Sequence, residues 1–198
     1  MNARLYNGLK RATDITVALL SLIAFSPLFL VCYIAIRSED GGPAFFAQER
    51  IGKGGRPFQI LKFRSMRGDA EKDGIALCPH EDDERTTHVG HFLRAHHLDE
   101  LPQLWNVLRG DMAFVGYRPE RKFYIDQIMK IDNRYSRLYA LRPGVTSYAT
   151  LYNGYTDTVE KMLSRLELDL YYLDHQSWCL DMKILWKTFT SIVSGKKF

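Results

Sequence analysis

Residues 15–36 read ITVALLSLIAFSPLFLVCYIAI, twenty-two positions without a charge. As one straight helix this stretch is about 33 Å long, enough for the hydrocarbon core of a bilayer. A buried core helix rarely runs so long and so apolar, so the stretch predicts membrane insertion. The run is too long for a cleaved leader, and no small-x-small site follows it. Leu30-Val31 before Cys32 also lacks the small residue of a lipoprotein site.

Ser26-Pro27 falls in the middle of the run. Proline removes one backbone donor and frees the carbonyl of Ile23, at about 3 kcal/mol in a helix interior. The Ser26 hydroxyl is placed to satisfy part of that exposed backbone. One reading is a kinked spanning helix; the other is a helix-break-helix that enters and leaves by the same face. Arg4, Lys10 and Arg11 precede the run, and Arg37 and a cluster from Arg50 follow it. Both basic flanks belong on the cytoplasmic side by the positive-inside rule. The re-entrant hairpin satisfies this and a single span does not. The expected division is 1–37 for the membrane helix-break-helix and 38–198 for a cytoplasmic catalytic domain with membrane-surface helices.

The rest of the 198 residues suits one folded domain. The net charge is +4, unevenly placed. Arg50, Lys53, Arg56, Lys62, Arg64 and Arg67 follow one another without a carboxylate, which attracts phosphates, acidic lipid or nucleic acid. From Asp69 to Glu84 the sign reverses, as in a solvated loop or, less simply, a metal site. Cys32, Cys78 and Cys179 show neither metal spacing nor a disulfide framework, which fits a reducing compartment.

Local patterns predict a mostly helical α/β fold. Ala44–Arg50 and Phe58–Arg64 read as strands joined by a glycine turn at 52–55. That turn lacks the spacing of a phosphate-binding P-loop. Thr86–His97 reads as a helix capped by Thr86 or Thr87. Pro102 opens another that Gly110-Asp111 ends. Met112–Val115 is a short strand, Glu120–Tyr139 a helix, Arg142 to Gly154 a loop, and Val159–Leu173 a helix. Trp178–Val193 pairs tryptophan and lysine with an apolar face, which suits a helix on a membrane surface or one against the core.

Chemistry concentrates at His97-Leu98-Asp99-Glu100-Leu101-Pro102-Gln103-Leu104. On one continuous helix, adjacent carboxylates point about 100° apart and cannot share a target. Pro102 instead makes Asp99 and Glu100 the approach to a helix start, where anions are favoured. One carboxylate could attack phosphorus while the other holds a metal, and an acyl phosphate would split phosphoryl transfer into two steps. Magnesium would offset the repulsion between carboxylate and diphosphate. The plain alternative is helix capping. Glycosidase chemistry is a weaker rival, because adjacency does not set two carboxylates across a sugar. Lys62, Arg64, Arg118 and Arg142 are candidate phosphate ligands or surface charges.

In this order the motifs resemble the monotopic phosphoglycosyl transferases, the bacterial sugar transferase family. Lys10-Arg11 with Asp14 is similar to the family's membrane-helix entry, and Ser26-Pro27 to its re-entrant break. Gly42-Pro43 through Lys62-Phe63-Arg64-Ser65-Met66 resembles the early core motif. Leu98 to Leu104, Asn106-Val107-Leu108 and Gly110-Asp111-Met112 resemble the catalytic motif. Val115-Gly116, Arg118-Pro119, Arg142-Pro143-Gly144-Val145-Thr146, Leu168 to Tyr172 and Leu180 to Ile184 continue it. The resemblance implies Asp99 as nucleophile, Glu100 as magnesium ligand, and Lys62, Arg118 and Asp181 as further site residues. It implies transfer of a phosphosugar from a UDP-sugar to polyprenyl (undecaprenyl) phosphate through an aspartyl intermediate, releasing UMP. That places the chain at the first membrane step of glycoconjugate assembly, on the cytoplasmic face of the bacterial inner membrane. Bacterial membrane lipid is then a partner and nucleic acid is not. Two departures stand out: Tyr117 replaces a frequent proline, and Ser147 to Tyr155 keeps only Asn153-Gly154 of the usual pattern. The rivals are a phosphohydrolase using the same aspartyl phosphate, and a non-enzymatic scaffold for glycan assembly.

Overall fold

The structure is a computed structural model that describes residues 3–68, 83–153 and 158–194. It is mostly helical, with two small sheets. The acidic stretch at 69–82, Cys78, and Gly154 with Tyr155 lie outside the described residues.

Helix α1 (Ala3–Ala24) and helix α2 (Ser26–Asp40) replace the single apolar run. They meet at Phe25 with a bend of 61°. The Ser26 hydroxyl donates to the freed Ile23 carbonyl at 2.8 Å, so the break satisfies its own backbone. No single described helix is long and apolar enough to cross a membrane; only the bent pair is, taken together. Ala18 of α1 is buried with Ile60, Val107 and Met112, and Cys32 and Ile36 of α2 are buried with Ala44, Phe63 and Leu93. Both arms therefore dock on the same body. Between the docked points Leu19, Leu20, Ile23, Phe25, Leu30 and Val31 stay exposed.

Strands β1 (Phe45–Ile51) and β2 (Pro57–Phe63) form an antiparallel hairpin with Phe45 opposite Phe63 and Ile51 opposite Pro57. Gly54 and Gly55, both at φ 71°, supply the left-handed turn that other residues resist. Helix α3 (His88–Ala95) starts where Thr87 accepts from the Gly90 amide at 3.0 Å. Helix α4 (Gln103–Arg109) follows Pro102 and ends at Gly110. Asn106 of α4, fully buried, pairs with the edge of β2: it accepts from Leu61 N at 2.9 Å and donates to Gln59 O at 2.7 Å.

The expected helix over Glu120–Tyr139 is two elements. Helix α5 (Lys122–Ile131) stops at Asp132, whose carboxylate accepts from Arg134 N, and a 3-10 stretch covers Asn133–Ala140. Its residues Tyr135 and Leu138 still reach the core shared with Ile125, Ile128, Met162 and Leu166. The expected loop after Arg142 holds strand β4 (Gly144–Thr146) and the short helix α6 (Thr150–Asn153). β4 runs parallel to β3 (Ala113–Val115). Gly116 and Gly144 permit the approach: a Cβ on Gly144 would lie 2.2 Å from Gly116 N. Tyr117, the departure from the family pattern, is fully buried in the core, against Ile51.

Helices α7 (Val159–Asp174) and α8 (Trp178–Val193) close the fold. Trp178, Met182, Trp186, Phe189 and Ile192 form an exposed apolar stripe on α8, while Ile184 is fully buried. The helix thus packs on the core with one face and presents another.

Candidate active site

His97 ends α3 in the left-handed region, at φ 54°, the one such non-glycine among the described residues. That turn swings the chain into a single 3-10 turn, Leu98–Glu100, before Pro102 begins α4. The turn buries Asp99 and aims Glu100 at β2. Lys62 of β2 donates to Glu100 Oε1 at 2.6 Å and stands 4.0 Å from Asp99 Oδ2. The bond of Asn106 to Leu61 holds the lysine's strand against the helix that follows the carboxylates.

The two carboxyl groups sit in opposite electrostatic states. Burial raises the Asp99 carboxyl, and the Glu100 charge adds to this while Lys62 opposes it. Glu100 is also penalised by desolvation, yet Lys62 and Arg118 outweigh that and hold it down at about 2. Glu100 is therefore an anion at neutral pH beside a more weakly acidic neighbour.

Lys62 and Glu100 open onto a cleft, with the buried Asp99 carboxyl 4.0 Å from the Lys62 ammonium. Lys62, Glu100 and Arg118 line it, with Arg50, Gln103, Pro119, Thr146, Ser147 and Thr150. The structure thus gathers Asp99, Glu100, Lys62 and Arg118. Three other expected site residues stand elsewhere. Arg64 is buried against Asp40, at the end of α2. Arg142 donates to the Gly110 carbonyl at 2.9 Å and so fastens the end of α4. Asp181 is buried and accepts from Tyr6 at 2.7 Å, Lys10 at 2.8 Å and Tyr172 at 2.6 Å, which ties α1 to α7 and α8. None of the three lines the cleft; Asp99 does not line it either but stands 4.0 Å from Lys62, which does. Arg50, Gln103, Thr146, Ser147 and Thr150 also line it, although the sequence reading singles out none of them as an individual site residue. Gln103 lies inside the quoted motif, and Arg50 heads the basic run; adjacency to those features was the available signal.

Among the described residues no three His, Cys, Asp or Glu side chains gather as a metal cage. Magnesium needs none: one or two carboxylates together with substrate phosphates commonly hold it. An ionised Glu100 on a cleft wall fits that mode.

A family model described as bacterial sugar transferase matches residues 5–195. The chain is 39% identical over 191 residues to a UDP-N-acetylgalactosamine-undecaprenyl-phosphate N-acetylgalactosaminephosphotransferase of Aeromonas hydrophila, covering 96% of this chain and 45% of that protein. It is 43% identical over 189 residues to a UDP-glucose:undecaprenyl-phosphate glucose-1-phosphate transferase of Caulobacter vibrioides, covering 93% of this chain and 70% of the relative. A sugar transferase of Bacillus subtilis, EpsL, is 36% identical over 93% of this chain and 87% of its own length. The chain spans less than half of the Aeromonas relative and most of the other two. Matched along nearly its whole length, with the Asp99-Glu100 motif at the head of a cationic cleft, the chain belongs to the bacterial sugar transferase family.

Proposed function

We propose that this chain transfers a sugar 1-phosphate from a UDP-sugar to a polyprenyl phosphate, undecaprenyl phosphate in bacteria, as the first membrane step of glycoconjugate assembly. The observation that carries the reading is the buried Asp99 carboxyl, 4.0 Å from Lys62, beside a cleft that also presents Arg118. The printed activities of the Aeromonas and Caulobacter relatives support it.

In the first step an Asp99 oxygen attacks the phosphorus that bears the sugar. The bond from that phosphorus to the bridging oxygen breaks, and UMP leaves with the bonding electrons. In the second step a phosphate oxygen of the polyprenyl phosphate attacks the same phosphorus. The acyl phosphate bond breaks, Asp99 returns as a carboxylate, and the sugar is left on a polyprenyl diphosphate. Lys62 and Arg118 neutralise charge on the phosphoryl oxygens. Glu100 would hold magnesium, which when bound shields the diphosphate from the carboxylates. Arg64, Arg142 and Asp181 serve by fixing α2, α4 and α1 around the cleft.

The bent α1–α2 pair is read as a re-entrant membrane hairpin. Both arms dock on the catalytic body, and only about 10 Å of α1 extends past Ala18 to the bend, against about 30 Å of hydrocarbon core. The exposed apolar stripe of α8 is read as a second, surface-lying contact. The donor is cytoplasmic, so the catalytic body sits on the cytoplasmic face of the inner membrane.

The test is a UDP-sugar panel with undecaprenyl phosphate and readout of UMP. Expected are UMP release, a lipid-linked product, and a trapped phosphosugar on Asp99 when the acceptor is withheld. Free sugar phosphate with no lipid product would make the chain a hydrolase; an adduct on another residue would remove Asp99 as nucleophile. Asp99→Asn should abolish transfer and leave the fold intact.

A further inference from the structure

Glu120 lies outside every motif quoted for the chemistry, yet it organises one wall of the cleft. Its Oε1 accepts from Arg165 Nη1 at 3.1 Å and stands 3.9 Å from Arg118 Nε; its Oε2 stands 3.6 Å from Arg50 Nη1. Three guanidinium groups thus surround one carboxylate. Arg50 and Arg118 both line the cleft beside Lys62. Arg50 is held in place by Gln48 Oε1 at 2.6 Å and the Pro119 carbonyl at 3.4 Å. Its Nε is buried and meets no acceptor among the described residues, so the guanidinium keeps donor capacity that these contacts do not use.

Glu120 faces Arg50, Arg118 and Arg165 together, and Arg118 also acts on the Glu100 anion across the cleft wall. Lys62 is committed to Glu100, and Arg50 and Arg118 stand beside it on the same wall. Partly desolvated cations are costly until an anion of matching geometry arrives. Two planar forks side by side match the oxygens of a phosphate or diphosphate group.

We propose that Arg50 is a substrate-phosphate ligand of this cleft, held beside Arg118 by Glu120 acting as a positioning residue. The inference rests on the transferase reading for the identity of the phosphate, with the diphosphate of the UDP-sugar as the expected partner. Its geometry rests on the arginine cluster alone.

The experiment uses the full chain in detergent, as wild type, Arg50→Gln, Arg50→Lys, Glu120→Gln and the Arg50→Gln/Glu120→Gln double variant. Donor and acceptor are varied in turn, and inorganic diphosphate is titrated separately by calorimetry. Arg50→Gln is expected to raise the KM of the UDP-sugar about tenfold or more, and to weaken diphosphate binding by a similar factor. Arg50→Lys keeps the charge and loses the fork, so it should fall between the two. Glu120→Gln should move the same KM by less, and the double variant should be no worse than Arg50→Gln. A shift confined to the acceptor KM assigns the ligand to the polyprenyl phosphate and supports Arg50 all the same. Unchanged KM values and diphosphate affinity in Arg50→Gln, at an unchanged melting temperature, overturn the proposal. Additive losses in the double variant overturn the role of Glu120. If Arg50→Gln does not fold, Arg50→Lys decides by the same readouts. If the wild type turns over no UDP-sugar, the transferase reading fails, and the diphosphate titration still decides Arg50.

Discussion

The Lys62 ammonium donates to Glu100 Oε1 at 2.6 Å although 38 residues separate the two in sequence. The lysine stands on a strand and the carboxylate on a single 3-10 turn, so neither position is adjustable without moving an element. Asn106 fixes the distance by pairing with the strand edge one residue before Lys62. The same ammonium is the main cation acting on Asp99.

A pH profile reads this relationship. In the proposed mechanism Asp99 attacks as a carboxylate, and burial raises its carboxyl above the ordinary range near 3.9. Protons therefore bind it at a higher pH than they bind an exposed aspartate. The acid limb of kcat/KM should lie above the range in which an exposed aspartate titrates. Lys62→Ala removes the cation that opposes the rise, so the limb should move further up and the plateau rate fall about ten- to a hundredfold. An acid limb at the same pH in both proteins would mean that Asp99 does not set it.

Glu100 should be separable from Asp99 by metal. Chelation should stop turnover, and Glu100→Gln should raise the magnesium concentration for half-maximal rate while folding is retained. Because Lys62 and Arg118 hold Glu100 ionised down to about pH 2, the metal dependence should not weaken through its protonation anywhere above pH 4. Full activity in excess chelator would rule this role out.

Ser26-Pro27 should govern topology. Replacing the pair with alanine and leucine restores the missing amide and removes the bend, so α1 and α2 should fuse into one long apolar helix. Cysteines introduced near Asn2 and Lys197 should both be protected from an impermeant reagent in intact spheroplasts of the wild type. In the straightened variant the Asn2 site should become labelled and activity should fall. Labelling at Asn2 in the wild type would mean a spanning helix.

Asp181 should matter to stability more than to substrate affinity, since it does not line the cleft. Asp181→Ala leaves Lys10 largely buried without its anion and frees two tyrosine hydroxyls, at a cost of about 3–5 kcal/mol. Tyr6→Phe and Tyr172→Phe should each cost about 1 kcal/mol. At roughly 2–4 °C per kcal/mol for a chain of this size, thermal melts separate these expectations. A normal melt with a raised donor KM would move Asp181 into the substrate site.

Much of this was legible in the sequence where the determinant is local. The glycine turn, the Thr87 cap and the Ser26-Pro27 break are each specified by residues within a few positions. The split at Asp132 was hidden because residues spaced by three fall on one face of a 3-10 helix as they nearly do in an α-helix. Tyr135 and Leu138 therefore continue the apolar period of α5. Strand β4 has three residues and pairs with a partner about thirty positions earlier, so no period announces it. The same applies to the site. Asp99 and Glu100 were visible as an adjacent pair before a proline. The partners that divide Arg64 from Lys62 are Asp40 and Glu100, and neither assignment follows from a row of basic residues.

The clamp on Asp181 also has a consequence in time. Tyr6 and Lys10 belong to α1, and their acceptor arrives more than 170 residues later. At about 5–20 residues per second of synthesis, α1 waits roughly 10–35 s for it. During that interval the apolar hairpin has left the ribosome while the groups that tie its base to the catalytic body have no acceptor. On the proposed re-entrant topology, insertion therefore precedes closure of the fold, and α8 acts as a latch on an orientation chosen earlier by the bend and its basic flanks. Nascent chains stalled before Asp181 should accordingly be able to exchange between hairpin and spanning forms, and chains stalled after helix α8 has emerged should not.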